Sequence, residues 1–152
     1  WIYGGIDGTI TTFAVVSGVA GAGLSPVIVL ILGFANLIAD GFSMAVSAYL
    51  SAQSGNDKHP SKQALATFGS FILLGSLLLV PYLASLFVEI ERSTIFIMSS
   101  VLAIIAFMLV AALKAKAEKT SLGSQMIQVV LLGLIAAGIA YGIGDGLERI
   151  IS

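Results

Sequence analysis

The sequence has 152 residues, of which 58% are hydrophobic and only 10% are charged. Soluble domains carry about a quarter charged residues, so this composition indicates an integral membrane protein. The formal net charge of −1 gives no basis for binding nucleic acid, and the absence of cysteine excludes disulfides and thiolate metal sites. The sequence contains no Ser–His–acid set, phosphate-binding glycine loop or HExxH motif, and we therefore do not expect an enzyme.

Long hydrophobic runs predict an all-α protein, a five-helix membrane bundle, because about 20 apolar residues cross the roughly 30 Å of a bilayer's hydrocarbon core. The predicted spans are residues 2–22, 27–51, 65–88, 95–113 and 126–149 of a single transporter domain. A tight turn is predicted at 23–26, and Pro81 is expected to kink the third span. The runs lack the alternation of a membrane β-barrel. Because Trp1 lies inside a helical pattern, we expect further residues upstream.

Basic residues are unevenly distributed between the two sides of the predicted bundle. The connections after spans two and four carry the lysines, and the opposite side carries only two arginines: Lys58, Lys62, Lys114, Lys116 and Lys119 against Arg92 and Arg149. Cytoplasmic loops are enriched in lysine and arginine. This bias predicts that the N-terminus is cytoplasmic and that the C-terminus faces outside or into a lumen.

The first span carries a carboxylate near its start, in the run Asp7-Gly8-Thr9-Ile10-Thr11. Two interpretations remain open at this stage. Asp7 is either an interfacial carboxylate that caps the helix start, or an ion ligand with Thr11 lining the same pathway one turn further along.

The second span carries polar side chains at helical spacing, with Asn36, Asp40 and Met44 at i, i+4 and i+8 and with Ser43 and Ser47 on the same face. A charged aspartate at mid-membrane costs about 2.5–3.5 kcal/mol, and no span core supplies a lysine or arginine to offset it. Asp40 is therefore protonated and hydrogen-bonded between helices, exposed to water, or bound to a cation. The thioether of Met44 favours a transition metal over magnesium or calcium.

Two further polar residues are predicted to lie at the edges of the bundle. Asp145 sits close to Glu148 and Arg149, which favours an interfacial position, with the lining of an exit path as the alternative. The single histidine, His59, lies in a short polar loop, where a solvated side chain is the expected state.

Several sequence runs together resemble the vacuolar iron transporter (VIT) family. They are DG at 7–8, TTFAVVSGVAG at 11–21, and ANLIADGFSM at 35–44, which continues to YLS at 49–51. The resemblance extends along the chain, although spans three to five match mainly in hydropathy and glycine content.

The resemblance implies a homodimer of five-helix protomers, with spans one and two lining a metal path at the dimer seam. It also implies proton-coupled export of Fe²⁺ from the cytoplasm, with Mn²⁺ as a further substrate and no permanently bound cofactor. On the family pattern, Asp7 and Met44 match the transport-site carboxylate and methionine. Asn36 stands where eukaryotic members tend to carry glutamate, and Asp40 replaces a small residue, a pairing that resembles the bacterial subgroup.

One departure from the plant-type pattern concerns the connection between spans two and three. Plant-type members insert a glutamate- and methionine-rich cytoplasmic domain there, whereas this chain has only residues 54–63. We therefore expect a bacterial-type member, in a bacterial inner membrane, that lacks this metal-binding domain. Some bacterial relatives carry a ferritin-like domain before span one, and such a fused or associated domain is compatible with this sequence.

The residues lead to the hypothesis of a proton-coupled divalent metal exporter that uses Asp7, Asn36, Asp40 and Met44. Two alternatives stay open. A non-transporting membrane scaffold would use the same polar residues only for helix packing. A proton-coupled organic-cation exporter would use the carboxylates without Met44, although no aromatic cluster lies near Asp40 in the sequence.

Overall fold

A computed structural model of the protein describes residues 1–151, and in this part of the chain all regular secondary structure is helical, without strands. The helices are α1 (Ile2–Gly21), α2 (Pro26–Ser54), α3 (Pro60–Leu77), α4 (Val80–Ala84), α5 (Arg92–Glu118) and α6 (Leu122–Ile151). By length and composition, α2, α5 and α6 are apolar enough to cross a membrane. The prediction of an all-α membrane protein is therefore confirmed. The count of five spans stays a prediction, because α1 and α3 carry more polar residues.

The turn between α1 and α2 forms as predicted. Gly23 adopts a left-handed conformation with φ of +62°, which glycine reaches without steric cost. The amide of Leu24 donates to the Val19 carbonyl at 3.2 Å and that of Gly23 to the Ala20 carbonyl at 3.0 Å, which is the bonding pattern of a Schellman helix end. Pro26 then opens α2, where its missing N–H leaves no bond unmade.

The predicted third span is interrupted. Helix α3 ends at Leu77, and α4 begins at Val80 with Pro81 in its first turn. Proline cannot donate to the carbonyl four residues earlier and its ring crowds that carbonyl, so a break directly before it is expected. The Ser99 hydroxyl donates to the carbonyl of Leu78 at 2.7 Å and satisfies a backbone group at the break. The kink predicted at Pro81 is thus a break, and residues 65–88 are not one continuous helix.

Helix α1 lies at the centre of the structure, in contact with α2, α3, α5 and α6. Two buried apolar clusters flank it. One, which we call the Phe71 cluster, joins α1 to α2, α3, α4 and the start of α5, and includes Val16, Leu37 and Phe71. The other joins α1 to α5 and α6 through Phe13 and Phe107, whose rings meet edge to face with centroids 6.1 Å apart.

The end of α5 differs from the sequence prediction. Lys114 was expected in a loop after residue 113, but α5 continues to Glu118 and only 9% of Lys114 is exposed. Its Nζ donates to Oε1 of Gln128 at 3.2 Å and lies 5.9 Å from the centroid of the Tyr3 ring. The Tyr3 hydroxyl donates to Glu118 at 2.8 Å, and Gln125 donates to the same carboxylate at 3.3 Å. We call these five residues the α5-end cluster; they tie α1, α5 and α6 together.

Candidate metal site

Asp7 of α1 and Asp40 of α2 come together in the structure. The two helices pack against each other, and the two carboxylates are close enough to interact electrostatically. Both side chains are half-buried. The family resemblance of the sequence predicts that these two acids belong to one site. The fold of one protomer alone brings them to the same region.

Each aspartate is followed by a glycine, and the two glycines explain how the pair is positioned. A Cβ on Gly8 would lie 2.5 Å from the carbonyl oxygen of Phe71, and a Cβ on Gly41 would lie 3.2 Å from the ring of the same residue. Gly8 and Gly41 therefore pack against one residue of α3. Gly41 is equally close to the ring of Phe68, at 3.3 Å. Because each aspartate precedes its glycine in sequence, packing against α3 constrains the backbone next to both aspartates.

The other predicted ligands, Asn36 and Met44, lie one turn before and one turn after Asp40 on α2, and both are half-buried. Met44 packs against the Phe71 cluster. The Asn36 Nδ2 atom is buried and has no hydrogen-bond partner within residues 1–151. An unsatisfied buried polar group costs about 1–3 kcal/mol. The unpaired atom is an N–H donor, so the metal-binding atom that Asn36 can offer is its carbonyl oxygen. Thr12, Ser17 and Gln125 each have one buried side-chain oxygen that is unpaired in the same way within residues 1–151.

The residues predicted to line the pathway behave differently from one another. The Thr11 hydroxyl donates to the backbone carbonyl of Asp7 at 2.8 Å, so its proton is used inside α1 and only its oxygen lone pairs remain free. Ser43 and Ser47 are exposed on α2. The interpretation of Asp7 as a helix cap does not fit, because α1 begins at Ile2 and its start has no side-chain cap.

A single described protomer does not contain a complete metal site. Within residues 1–151 there is no group of three or more histidine, aspartate or glutamate side chains that could hold a metal ion. The structure thus supplies one pair of carboxylates with neutral donors alongside it.

The polar residues predicted at the edges lie away from this pair. Asp145 forms an ion pair with Arg149 at 3.0 Å, one turn apart on α6. His59 is exposed, and its backbone amide donates to the Asp57 carboxylate at 2.7 Å. Sequence reasoning missed the α5-end cluster; the continuing helical run ALKAKAE at 112–118 was the signal that α5 extends beyond residue 113.

The structure is that of an all-α integral membrane protein, because three of its helices are long and apolar enough to cross a membrane. It also carries two interacting carboxylates, one on each of two packed helices. A sequence model of the VIT family matches residues 1–59 and 54–145. These two segments cover most of the chain, and the protein belongs to the VIT family.

Curated relatives match over a shorter stretch. The chain is 46% identical over 56 residues to proteins called "Vacuolar iron transporter" from Toxoplasma gondii and from Plasmodium falciparum. That stretch is 37% of this chain, 18% of the Toxoplasma protein and 20% of the Plasmodium protein. The chain therefore matches about a fifth of the length of these relatives.

Proposed function

We propose that this protein is a transporter, not an enzyme, that exports Fe²⁺ from the cytoplasm in exchange for protons and also accepts Mn²⁺. Membership of the VIT family and the relatives named as iron transporters support iron as the substrate. The observation that carries the proposal is the approach of Asp7 to Asp40 between α1 and α2. Two acids within range of a Coulombic interaction repel each other when both are charged, and a divalent cation between them would offset that repulsion.

The transporting unit in this proposal is a homodimer in which α1 and α2 form the seam. One protomer offers two carboxylates, whereas a seam between two copies would offer four, together with the carbonyl oxygen of Asn36 and the sulfur of Met44. Each protomer then has five membrane segments, with α3 and α4 serving together as the third.

In this proposal, the carboxylate oxygens of Asp7 and Asp40 that bind the metal also couple transport to protons. A carboxylate that holds a proton cannot bind a metal ion, so protons and Fe²⁺ compete for Asp7 and Asp40. The lysine-bearing end of the structure would face the cytoplasm under the positive-inside rule. A bacterial inner membrane is the proposed location, and the five-residue connection 55–59 between α2 and α3 leaves no room there for a metal-collecting domain.

The proposal is tested by metal uptake into proteoliposomes that hold a metal-sensitive dye, under an imposed pH gradient. We expect uptake of Fe²⁺ by the unaltered protein, dissipation of the gradient as metal moves, and a loss of about 100-fold in Asp40→Asn, equivalent to about 2.7 kcal/mol. Met44→Leu should lower Fe²⁺ uptake about tenfold and reduce discrimination against Mg²⁺, because the soft ligand is lost.

Matched controls come from the same chain. Asp145→Asn removes a carboxylate that is already paired with Arg149, and Met126→Leu alters a methionine that packs half-buried against the other apolar cluster. Both should transport normally. Fe²⁺ uptake at the unaltered rate in Asp40→Asn and Met44→Leu would leave a packing role for these residues and contradict the proposed site.

A further inference from the structure

A cavity of about 370 Å³ lies far from the aspartate pair, where α1 turns into α2 and α5 begins. Its walls come from the α1–α2 turn, α4, α5 and α6. The polar side chains among its lining residues are Tyr82, Arg92, Ser93 and Tyr141, and the apolar ones include Val29 and Phe96. No carboxylate lines this cavity, whereas each of its polar side chains carries a hydrogen-bond donor.

Arg92 lines the cavity, and its side chain is also exposed to the surroundings. An Arg92 Nη atom donates to the carbonyl oxygen of Gly23 at 3.2 Å, which fixes the side chain against the α1–α2 turn. Within residues 1–151, Arg92 forms no ion pair, although Glu89 and Glu91 are near in sequence and both are exposed. The guanidinium group keeps its other N–H donors for a ligand, and these suit the planar oxygens of a phosphate.

Tyr82 supplies a second, independent sign of a ligand. Its side chain is only 4% exposed and lines the cavity, yet its hydroxyl makes no hydrogen bond to any residue in the described part of the chain. The hydroxyl oxygen is not among the fully buried unpaired atoms of the described residues, so it opens into the cavity and is free to donate there. A ligand oxygen in the cavity would provide a partner for it.

The start of α5 adds donors in the same place. The residue before the helix, Glu91, makes no side-chain cap bond, and Arg92 and Ser93 occupy the first turn of a 27-residue helix. The uncapped amides and the helix dipole favour negative charge there. The site therefore combines the Arg92 guanidinium, the hydroxyls of Tyr82 and Ser93, and the start of α5, and no acidic side chain lines it. This set of donors suits an oxyanion. Val29 and Phe96 provide apolar surface beside it.

The neighbouring loop indicates where this site lies in the bilayer. Between α4 and α5, Leu86, Phe87 and Val88 are all exposed, Phe87 by 87%. The same connection carries Glu89, Glu91 and Arg92, all exposed, and charged side chains at the ends of membrane helices lie at the interface, which is the level of the lipid phosphates. We propose that the cavity binds a phosphate group, supplied by a lipid headgroup or by free phosphate, through Tyr82, Arg92 and Ser93.

The test measures the thermal unfolding midpoint of the purified protein in a maltoside detergent. The probes are dihexanoylphosphatidylglycerol, inorganic phosphate, and dihexanoylglycerol, which has the same chains without phosphate. At about ten times the Kd we expect a phosphate-bearing probe to raise the midpoint by about 3–6 °C. Tyr82→Phe, which keeps the ring, and Arg92→Gln should each weaken binding about tenfold.

Arg149→Gln is the matched control, because it removes an exposed arginine that is paired with Asp145. It should leave the shift intact. A shift with the phospholipid alone identifies the lipid headgroup as the source, and an equal shift with inorganic phosphate identifies the free anion; both support the site. The proposal is overturned when no phosphate-bearing probe shifts the midpoint, when dihexanoylglycerol shifts it equally, or when the Tyr82→Phe and Arg92→Gln proteins respond like the unaltered one.

Discussion

The α5-end cluster and the aspartate pair are both polar regions between packed helices, but only the first is largely closed by the chain itself. At the α5 end, Tyr3 of α1 and Gln125 of α6 both donate to Glu118 of α5. Lys114 of α5 donates to Gln128 of α6, and within residues 1–151 the Gln125 Oε1 atom is the cluster's one buried unpaired atom. Between α1 and α2, Asp7 and Asp40 repel each other and the Asn36 amide has no partner in the described chain. The chain thus supplies hydrogen-bond partners for most polar groups of the α5-end cluster, whereas within residues 1–151 it supplies neither a hydrogen bond nor an ion pair to the carboxylates of Asp7 and Asp40.

Of the substitutions that test the contrast between the aspartate pair and the α5-end cluster, the one at Asp7 should have the largest effect. Changing Asp7→Asn should lower Fe²⁺ uptake about 100-fold, or about 2.7 kcal/mol, because it removes one of two anionic oxygen donors. Its thermal midpoint should stay equal or rise, because neutralising one of two like charges relieves their repulsion. The measurements are dye-reported uptake and thermal unfolding on the same preparation. A large fall in stability would instead assign Asp7 to the fold.

The next effect concerns the glycine that positions Asp7. Gly8→Ala should destabilise the protein by about 1–3 kcal/mol and reduce transport, because the new Cβ would meet the Phe71 backbone at 2.5 Å. SDS-induced unfolding would measure the change. Gly69→Ala in α3 is the control: nothing lies within 4 Å of its Cβ position, so alanine should be neutral or stabilise the helix by up to about 1 kcal/mol. Equal effects of the two changes would remove the packing explanation.

Sequence patterns were sufficient for those features that depend on local chemistry. The turn at Gly23 follows from a residue that reaches positive φ without steric cost. The place of the irregularity in the third span follows from Pro81, although a kink was predicted and the structure has a break. The spacing of Asn36, Asp40 and Met44 follows from helix periodicity alone. These predictions needed no knowledge of which helices are neighbours.

Features that depend on contacts between distant segments were not predictable in the same way. Phe71 packs against the glycines after both aspartates, but nothing in its own sequence neighbourhood indicates this role. Lys114 looked like a loop lysine that reports orientation, because burial of a charge becomes visible only once Tyr3 and Gln128 are placed around it. Tyr82 and Arg92 lie ten residues apart, and only the interruption of the third span brings them to one cavity.

A change at Lys114 should lower stability and leave transport intact, which is the opposite of the result expected for Asp7. Lys114→Met keeps the length of the side chain but removes its hydrogen bond to Gln128 and its contact with the Tyr3 ring, so we expect a loss of about 1–2 kcal/mol in the free energy of unfolding. Fe²⁺ uptake per folded protein should stay within about twofold. Lys116→Met, at an exposed position two residues on, should change stability by less than about 0.5 kcal/mol. If Lys114→Met lowers Fe²⁺ uptake by more than its loss of stability and of folded protein accounts for, the α5-end cluster is part of the transport pathway.

The smallest expected effect separates the two regions within a single helix. Tyr3 lies one turn before Asp7 on α1, yet its hydroxyl donates to Glu118 of the α5-end cluster at 2.8 Å. Tyr3→Phe removes that bond and keeps the ring under Lys114, so the free energy of unfolding should fall by about 0.5–1.5 kcal/mol, and less if water replaces the bond at this exposed position. Transport by the folded protein should be unchanged, because Asp7 is held through Gly8 and Phe71 rather than through Tyr3. If Tyr3→Phe instead lowers the uptake rate at unaltered stability, the hydrogen bond to α5 also sets the position of Asp7, and the two regions act as one unit.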